Sequence, residues 1–111
     1  MPTNVTNYSN ITVLTVRDDL TSEAVPSFLN KVGKEIDAGQ RHFVIDCAGV
    51  HALDSIGLEA LLDTQDKCEA QLGAVKLCGL DETCRKILEI TRLARRFEVF
   101  DELDSAVKSF S

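Results

Sequence analysis

A chain of 111 residues, 44% of them hydrophobic, is the size of one domain and can bury an adequate core without disulfide or metal staples. Its 12 basic residues against 18 acidic ones give a net charge of −6, which argues against nucleic acid or an anionic membrane as partner, because both demand clustered Lys and Arg. The opening "MPTNVTNYSNITV" has no basic stretch leading into an apolar run, and nothing approaches the roughly 20 apolar residues that span a bilayer. The expectation is a soluble, cytoplasmic protein with no membrane insertion.

Taken in chain order, "NVTNY" and "ITVLTV" read as two short strands around the turn-forming pair Ser9-Asn10, as in a hairpin. From Thr21 to Ala38, Val25, Phe28, Leu29, Val32 and Ile36 recur at helical spacing, with Thr21 or Ser22 as cap and Gly39 as stop. Pro26 is awkward if that helix begins early, since beyond the first turn it deletes a backbone hydrogen bond. "HFVIDC" is a nearly continuous apolar run, the pattern of a strand covered on both faces in a parallel sheet. A second helix follows "HALDSIGLEALLDTQ", with Leu58, Leu61, Leu62, Cys68 and Leu72 on one stripe and Gly73 as its stop. "AVKLC" is the next strand. Asp81 caps a helix that turns Cys84, Ile87, Leu88 and Thr91 inward, "FEVF" is a last short strand, and Leu103, Ala106, Val107 and Phe110 line a final helix.

With no repeat, low-complexity tract or linker, residues 1–111 read as a single domain. Strands alternating with helices predict an α/β fold: a mixed, mostly parallel sheet of about four to five strands with about four helices, packed largely on one face.

Cys47, Cys68, Cys78 and Cys84 lack C-x-x-C spacing and occupy apolar positions of the pattern, so they read as buried structural thiols. His42 and His51 stand nine residues apart without the carboxylate spacing of a metal site, and the two N-x-[ST] sequons at Asn4 and Asn10 read as chance. "DSIG" is not the G-x-S-x-G elbow, neither histidine stands in a triad pattern, and there is no Gly-rich phosphate loop. The chain therefore reads as neither an enzyme nor a cofactor binder.

The informative residue is Ser55, at the joint between strand and helix. A serine there can cap the helix by accepting a backbone N–H, or it can be a site of covalent modification. At 100° per residue it lies near the border of an apolar stripe centred between Leu58 and Leu62, with Asp54, Glu59 and Asp63 making its flank acidic. Gly57, in the first turn, costs roughly 1 kcal/mol of helix propensity against alanine, which suits a close approach of another backbone.

"HFVIDCAGVHALDSIGLEAL" resembles the central signature of STAS domains, the anti-sigma factor antagonist fold, in which an apolar strand ending in Asp leads through a short loop to Asp-Ser-[Ser/Thr]-Gly-Leu. "GAVKLCGLDETCRKILEITRL" and "FEVFDELDSAV" extend the likeness over nearly the whole chain. The resemblance implies a binding switch. The unphosphorylated antagonist binds an anti-sigma factor, itself a serine kinase, and frees the sigma factor; phosphorylation at the position of Ser55 breaks the complex, and a serine phosphatase resets it. It places the partner-binding surface at Asp54, Ser55, Ile56, Gly57 and Glu59. Where the family has a Gly-x-Leu-Asp segment this chain has "VRDDLTS", so the partner-facing aspartate is carried onto Asp19, with Asp18 beside it. Ile56 replaces the family's second Ser or Thr, and Arg92 stands where the family tends to have Gly. Arg92, Arg95 and Arg96 form a basic run that reads as a solvated turn. The alternative implied by the same resemblance is a free-standing STAS subunit of a membrane transport complex of the lipid-trafficking ABC type, docking on a permease or ATPase without phosphorylation.

Overall fold

A computed structural model describes residues 3–110. Strands β1 (Thr3–Tyr8) and β2 (Ile11–Val16) form an antiparallel hairpin whose turn residue Ser9 takes φ +61°. Helix α1 (Val25–Asp37), β3 (His42–Asp46), α2 (Ser55–Ala70), β4 (Ala74–Cys78), α3 (Glu82–Ile90), a 3-10 turn (Leu93–Arg96), β5 (Glu98–Phe100) and α4 (Leu103–Lys108) follow. The sheet runs in chain order, β1-β2-β3-β4-β5, and every pairing after the first is parallel.

That order explains where the helices lie. Three right-handed crossovers stepping in one direction across a sheet put their helices on the same face. Accordingly Leu14, Val16, Phe43, Ile45, Val75 and Leu77 turn toward α1, α2 and α3, in a cluster with Phe28, Val32, Leu61 and Leu88. The opposite face, Ile11, Val13, Val44 and Cys78, is closed by α4 through Ala106, with Leu103, Val107 and Phe110 at its margin. Phe43, Val44 and Ile45 are all 0% exposed, as a strand covered on both sides must be.

Four sequence expectations change. The first helix begins at Val25, not Thr21: Thr21–Ala24 close a separate turn, Ala24 takes the cap position without a side-chain bond, and Pro26 falls in the first turn, where no N–H is needed. The inward face of α2 is Gly57, Ala60, Leu61, Thr64, Gln65 and Cys68, while Leu58 and Leu62 are half-buried on its flanks and Leu72 is 88% exposed. Two polar residues are tolerated inside because both are paired. Thr64 Oγ1 donates to the Ala60 carbonyl at 2.8 Å, and the Gln65 amide accepts from Val75 N–H at 2.7 Å and donates to the Arg96 carbonyl at 2.5 Å. The left-handed residue that ends α2 is Leu72 (φ +64°), not Gly73, with Leu72 N–H and Gly73 N–H returning to the carbonyls of Glu69 and Cys68. Thr91 lies past the end of α3 and is exposed, its hydroxyl turned back to the Ile87 carbonyl at 2.7 Å.

The four cysteines are free and buried. Burial pushes Cys68 up to about 11 and Cys78 and Cys84 up to about 12, so these thiols stay protonated and unreactive.

Candidate functional site

Parallel strands send their following loops to one end of the sheet, and there the loops after β2 and β3 are stitched into a single unit. Leu20 and Leu53 form a parallel bridge, and Leu20 N–H donates to the Ala52 carbonyl at 3.1 Å. Asp19 Oδ1 accepts two backbone N–H groups of the facing loop, His51 at 2.9 Å and Ala52 at 3.1 Å. Asp19, carried over as the partner-facing aspartate, thus spends one oxygen on positioning the approach to α2. Asp18 is exposed beside it, with Oδ1 accepting Asp19 N–H at 2.8 Å. The loop after β4 joins through His51 Nδ1 and Asp81 Oδ2, 3.2 Å apart. Asp81 also caps α3 by accepting Cys84 N–H at 2.8 Å; that bond, then the histidine, holds its carboxyl below the usual range.

Asp54 caps α2. Its Oδ1 accepts Gly57 N–H at 2.8 Å and its Oδ2 accepts Ser22 N–H at 2.8 Å. These two bonds, Gly57 first, hold the Asp54 carboxyl below its ordinary value, because only the charged form accepts both fully. The capping reading of Ser55 is thereby removed. Ser55 is the first helical residue, it is exposed, and its hydroxyl has no hydrogen-bond partner among the described residues.

Around Ser55 the named residues divide into surface and support. Ile56 is 42% exposed, an apolar side chain in open view next to the serine. Glu59, one turn on, and Asp63, one turn further, are exposed as well. Gly57 is buried beneath them: a Cβ at that position would lie 2.0 Å from the Leu20 carbonyl oxygen. Its place in the motif is to let α2 seat directly on the loop after β2. Sequence reasoning passed over Leu20 and Ser22 as parts of this joint, because only the fold brings residues some thirty positions apart into contact.

A model of the STAS domain matches residues 3–106. The chain belongs to the STAS domain family. No curated protein sequence matches this STAS domain. Similar solved structures include an anti-sigma factor antagonist from Mycobacterium paratuberculosis, 23% identical over 96% of this chain and 91% of that one with a TM-score of 0.86. The Bacillus cell fate determinant SpoIIAA in its phosphorylated form is 18% identical over 98% and 99%, with a TM-score of 0.78. A sulfate transporter family protein from Wolinella succinogenes is 17% identical over 94% and 87%, with a TM-score of 0.81. At such identities the likeness is one of fold.

Within this STAS domain, Arg92, at the position where a glycine was expected, takes φ +65°, the left-handed conformation glycine adopts most cheaply. Arg96 reaches Asp66 at 2.6 Å and Glu69 at 3.1 Å on α2, so its charge is spent within the domain. His42 lies against Phe110, ring centroids 5.1 Å apart, under α4. Among the described residues no group of three or more His, Cys, Asp or Glu could hold a metal ion, and no helix is long and apolar enough to cross a membrane.

Proposed function

We propose that this STAS domain is an anti-sigma factor antagonist that works by partner switching. Unphosphorylated, it binds an anti-sigma factor that is itself a serine kinase, releasing the sigma factor; phosphorylation of Ser55 ends the complex and a serine phosphatase restores it. The observation that carries this reading is the freedom of the Ser55 hydroxyl: exposed, unbonded, and relieved of capping by Asp54.

Phosphoserine adds about −1.5 to −2 charges at pH 7. Here they would arrive between the Asp54 carboxylate and Glu59, on a surface already negative. In open solvent the domain tolerates that, but an interface closing over it without a cation loses several kcal/mol. Since each 1.4 kcal/mol is tenfold in affinity, a loss of about 3 kcal/mol weakens the complex more than a hundredfold.

A second reading, a STAS subunit docking on a membrane transporter without phosphorylation, draws on Ile56: the exposed apolar side chain replaces a hydroxyl and suits a constitutive contact. One experiment separates the two. Wild-type protein and Ser55→Ala are incubated with ATP and host lysate and their phosphosites mapped by mass spectrometry. Phosphate on Ser55, absent from the variant, is the expected result. An unmodified Ser55 in a lysate that phosphorylates other proteins would overturn the switch and leave the docking reading.

A further inference from the structure

We infer, building on the reading of Ser55 as a phosphorylation site, that a phosphate there releases a catch: it drives the Asp54 carboxylate off the Ser22 N–H and unfastens the turn of residues 21–24 from the start of α2. The turn is anchored at both ends. Leu20, 1% exposed, donates its N–H to the Ala52 carbonyl, and Val25, 5% exposed, begins α1. Between them Ser22 and Glu23 are exposed. Among the described residues, the 2.8 Å bond from Ser22 N–H to Asp54 Oδ2 is the only hydrogen bond that joins this turn to α2 or to the loop before it. Asp19 holds the preceding part of the same loop by separate bonds from His51 and Ala52, so the root of the loop stays in place when the turn is let go.

Ser55 directly follows Asp54, the cap of α2, so a phosphate on it competes for the same backbone donors. Asp54 Oδ1 accepts Gly57 N–H at 2.8 Å. A phosphate one residue along brings about −1.5 to −2 charges and three strong acceptor oxygens to that same turn of helix. Two anions do not share one donor without repulsion, and no cation stands by to relieve it. No salt bridge among the described residues involves Asp18, Glu23, Asp54 or Glu59. Arg17, the cation nearest to the turn in sequence, has its Nε 2.9 Å from the Asn4 side-chain amide on β1. Both oxygens of Asp54 belong to one rigid carboxylate, so a displacement that takes Oδ1 from the phosphate also moves Oδ2. The Ser22 bond yields readily, because it is solvent-exposed and water takes the carboxylate's place. Modification thus alters the shape of the surface beside Ser55 as well as its charge.

The whole chain, synthesised with phosphate already on Ser55 and without any kinase, tests this at about pH 7, where the phosphate carries most of its second charge. Hydrogen exchange of the Ser22 amide is expected to speed up about fivefold, the loss of one ordinary hydrogen bond. The His51 and Ala52 amides, held by Asp19, should keep their rates. Ser22→Pro, its folding checked by thermal melting, separates an unfastened turn from a mere change of nearby charge. Ala24 N–H donates to the Thr21 carbonyl at 2.9 Å, which puts Ser22 at the second position of a β-turn, where proline is favoured. The variant therefore keeps the turn and deletes the N–H that Asp54 holds. In it, phosphate on Ser55 should leave the Glu23 and Ala24 amide shifts in place, whereas in the wild-type background it moves them. Unchanged exchange at Ser22, or equal shifts in both backgrounds, would overturn the inference and leave repulsion at Ser55 to act alone. Because synthesis supplies the phosphate, a lysate that fails to modify Ser55 counts against the phosphorylation reading and not against the catch.

Discussion

Asp54 reaches across 32 residues of sequence to hold the Ser22 amide at 2.8 Å, while its other oxygen caps α2 through Gly57. One carboxylate therefore fixes both the helix start that displays Ser55 and the loop that flanks it. Its pKa is depressed by those bonds, so its contribution to stability is present above the unfolded carboxylate value and is lost as pH falls through the lower folded value. Asp54→Asn keeps one accepting oxygen, sets its NH2 against the other backbone N–H, and does not titrate. Urea midpoints measured from about pH 6 to about pH 2 should fall less steeply for Asp54→Asn than for wild type below about pH 4, with lower stability at neutral pH. Parallel curves would show that the carboxylate charge is not what holds the joint.

Ser55→Ala should change stability by no more than about 0.5 kcal/mol, since the hydroxyl bonds to nothing among the described residues. Loss of a true N-cap costs about 0.5–2 kcal/mol. Denaturant titration of the purified variant distinguishes the two, and a loss above about 1 kcal/mol would mean the hydroxyl caps in solution.

Gly57→Ala gains about 1 kcal/mol of helix propensity and should nonetheless destabilise the domain by about 1–3 kcal/mol. The added Cβ meets the Leu20 backbone, 2.0 Å from its carbonyl oxygen, in a joint where Leu20 is 1% exposed and cannot swing aside. An unfolding midpoint at or above that of wild type would disprove the close approach.

Two adjacent substitutions at the end of α2 should act in opposite directions. Leu72→Gly relieves a left-handed leucine that is 88% exposed and contributes little packing, and should stabilise by about 0.5–1 kcal/mol. Gly73→Ala places a Cβ 1.9 Å from the Arg41 carbonyl oxygen and should destabilise. Thermal melts of the pair check both signs.

Gln65→Leu should cost about 1–3 kcal/mol, because it strands the Val75 N–H, in a strand residue 1% exposed, without an acceptor. Amide hydrogen exchange gives the residue-level readout: Val75 should lose protection more than its neighbours in β4.

Most of the architecture is written locally. The apolar run of His42–Cys47 and the alternating helices and strands follow from side-chain periodicity and backbone chemistry that each segment carries within itself. The interest of Ser55 came instead from the likeness of Asp54-Ser55-Ile56-Gly57 to a family motif, since local chemistry by itself favours a serine there as a plain cap. What the chain could not decide alone was which of two good caps would do the capping. Asp54 and Ser55 are both competent, and the choice falls to the one whose second oxygen can also reach the Ser22 amide. The inward face of α2 was beyond local reading for a similar reason: Thr64 and Gln65 become interior only once Ala60, Val75 and Arg96 supply their hydrogen bonds. The stop of that helix fell one residue early because the Arg41 carbonyl, from the turn before β3, claims the space beside Gly73 and leaves the left-handed turn to a leucine. Periodicity reports what each residue is; these three choices depended on which backbone another part of the chain brought alongside.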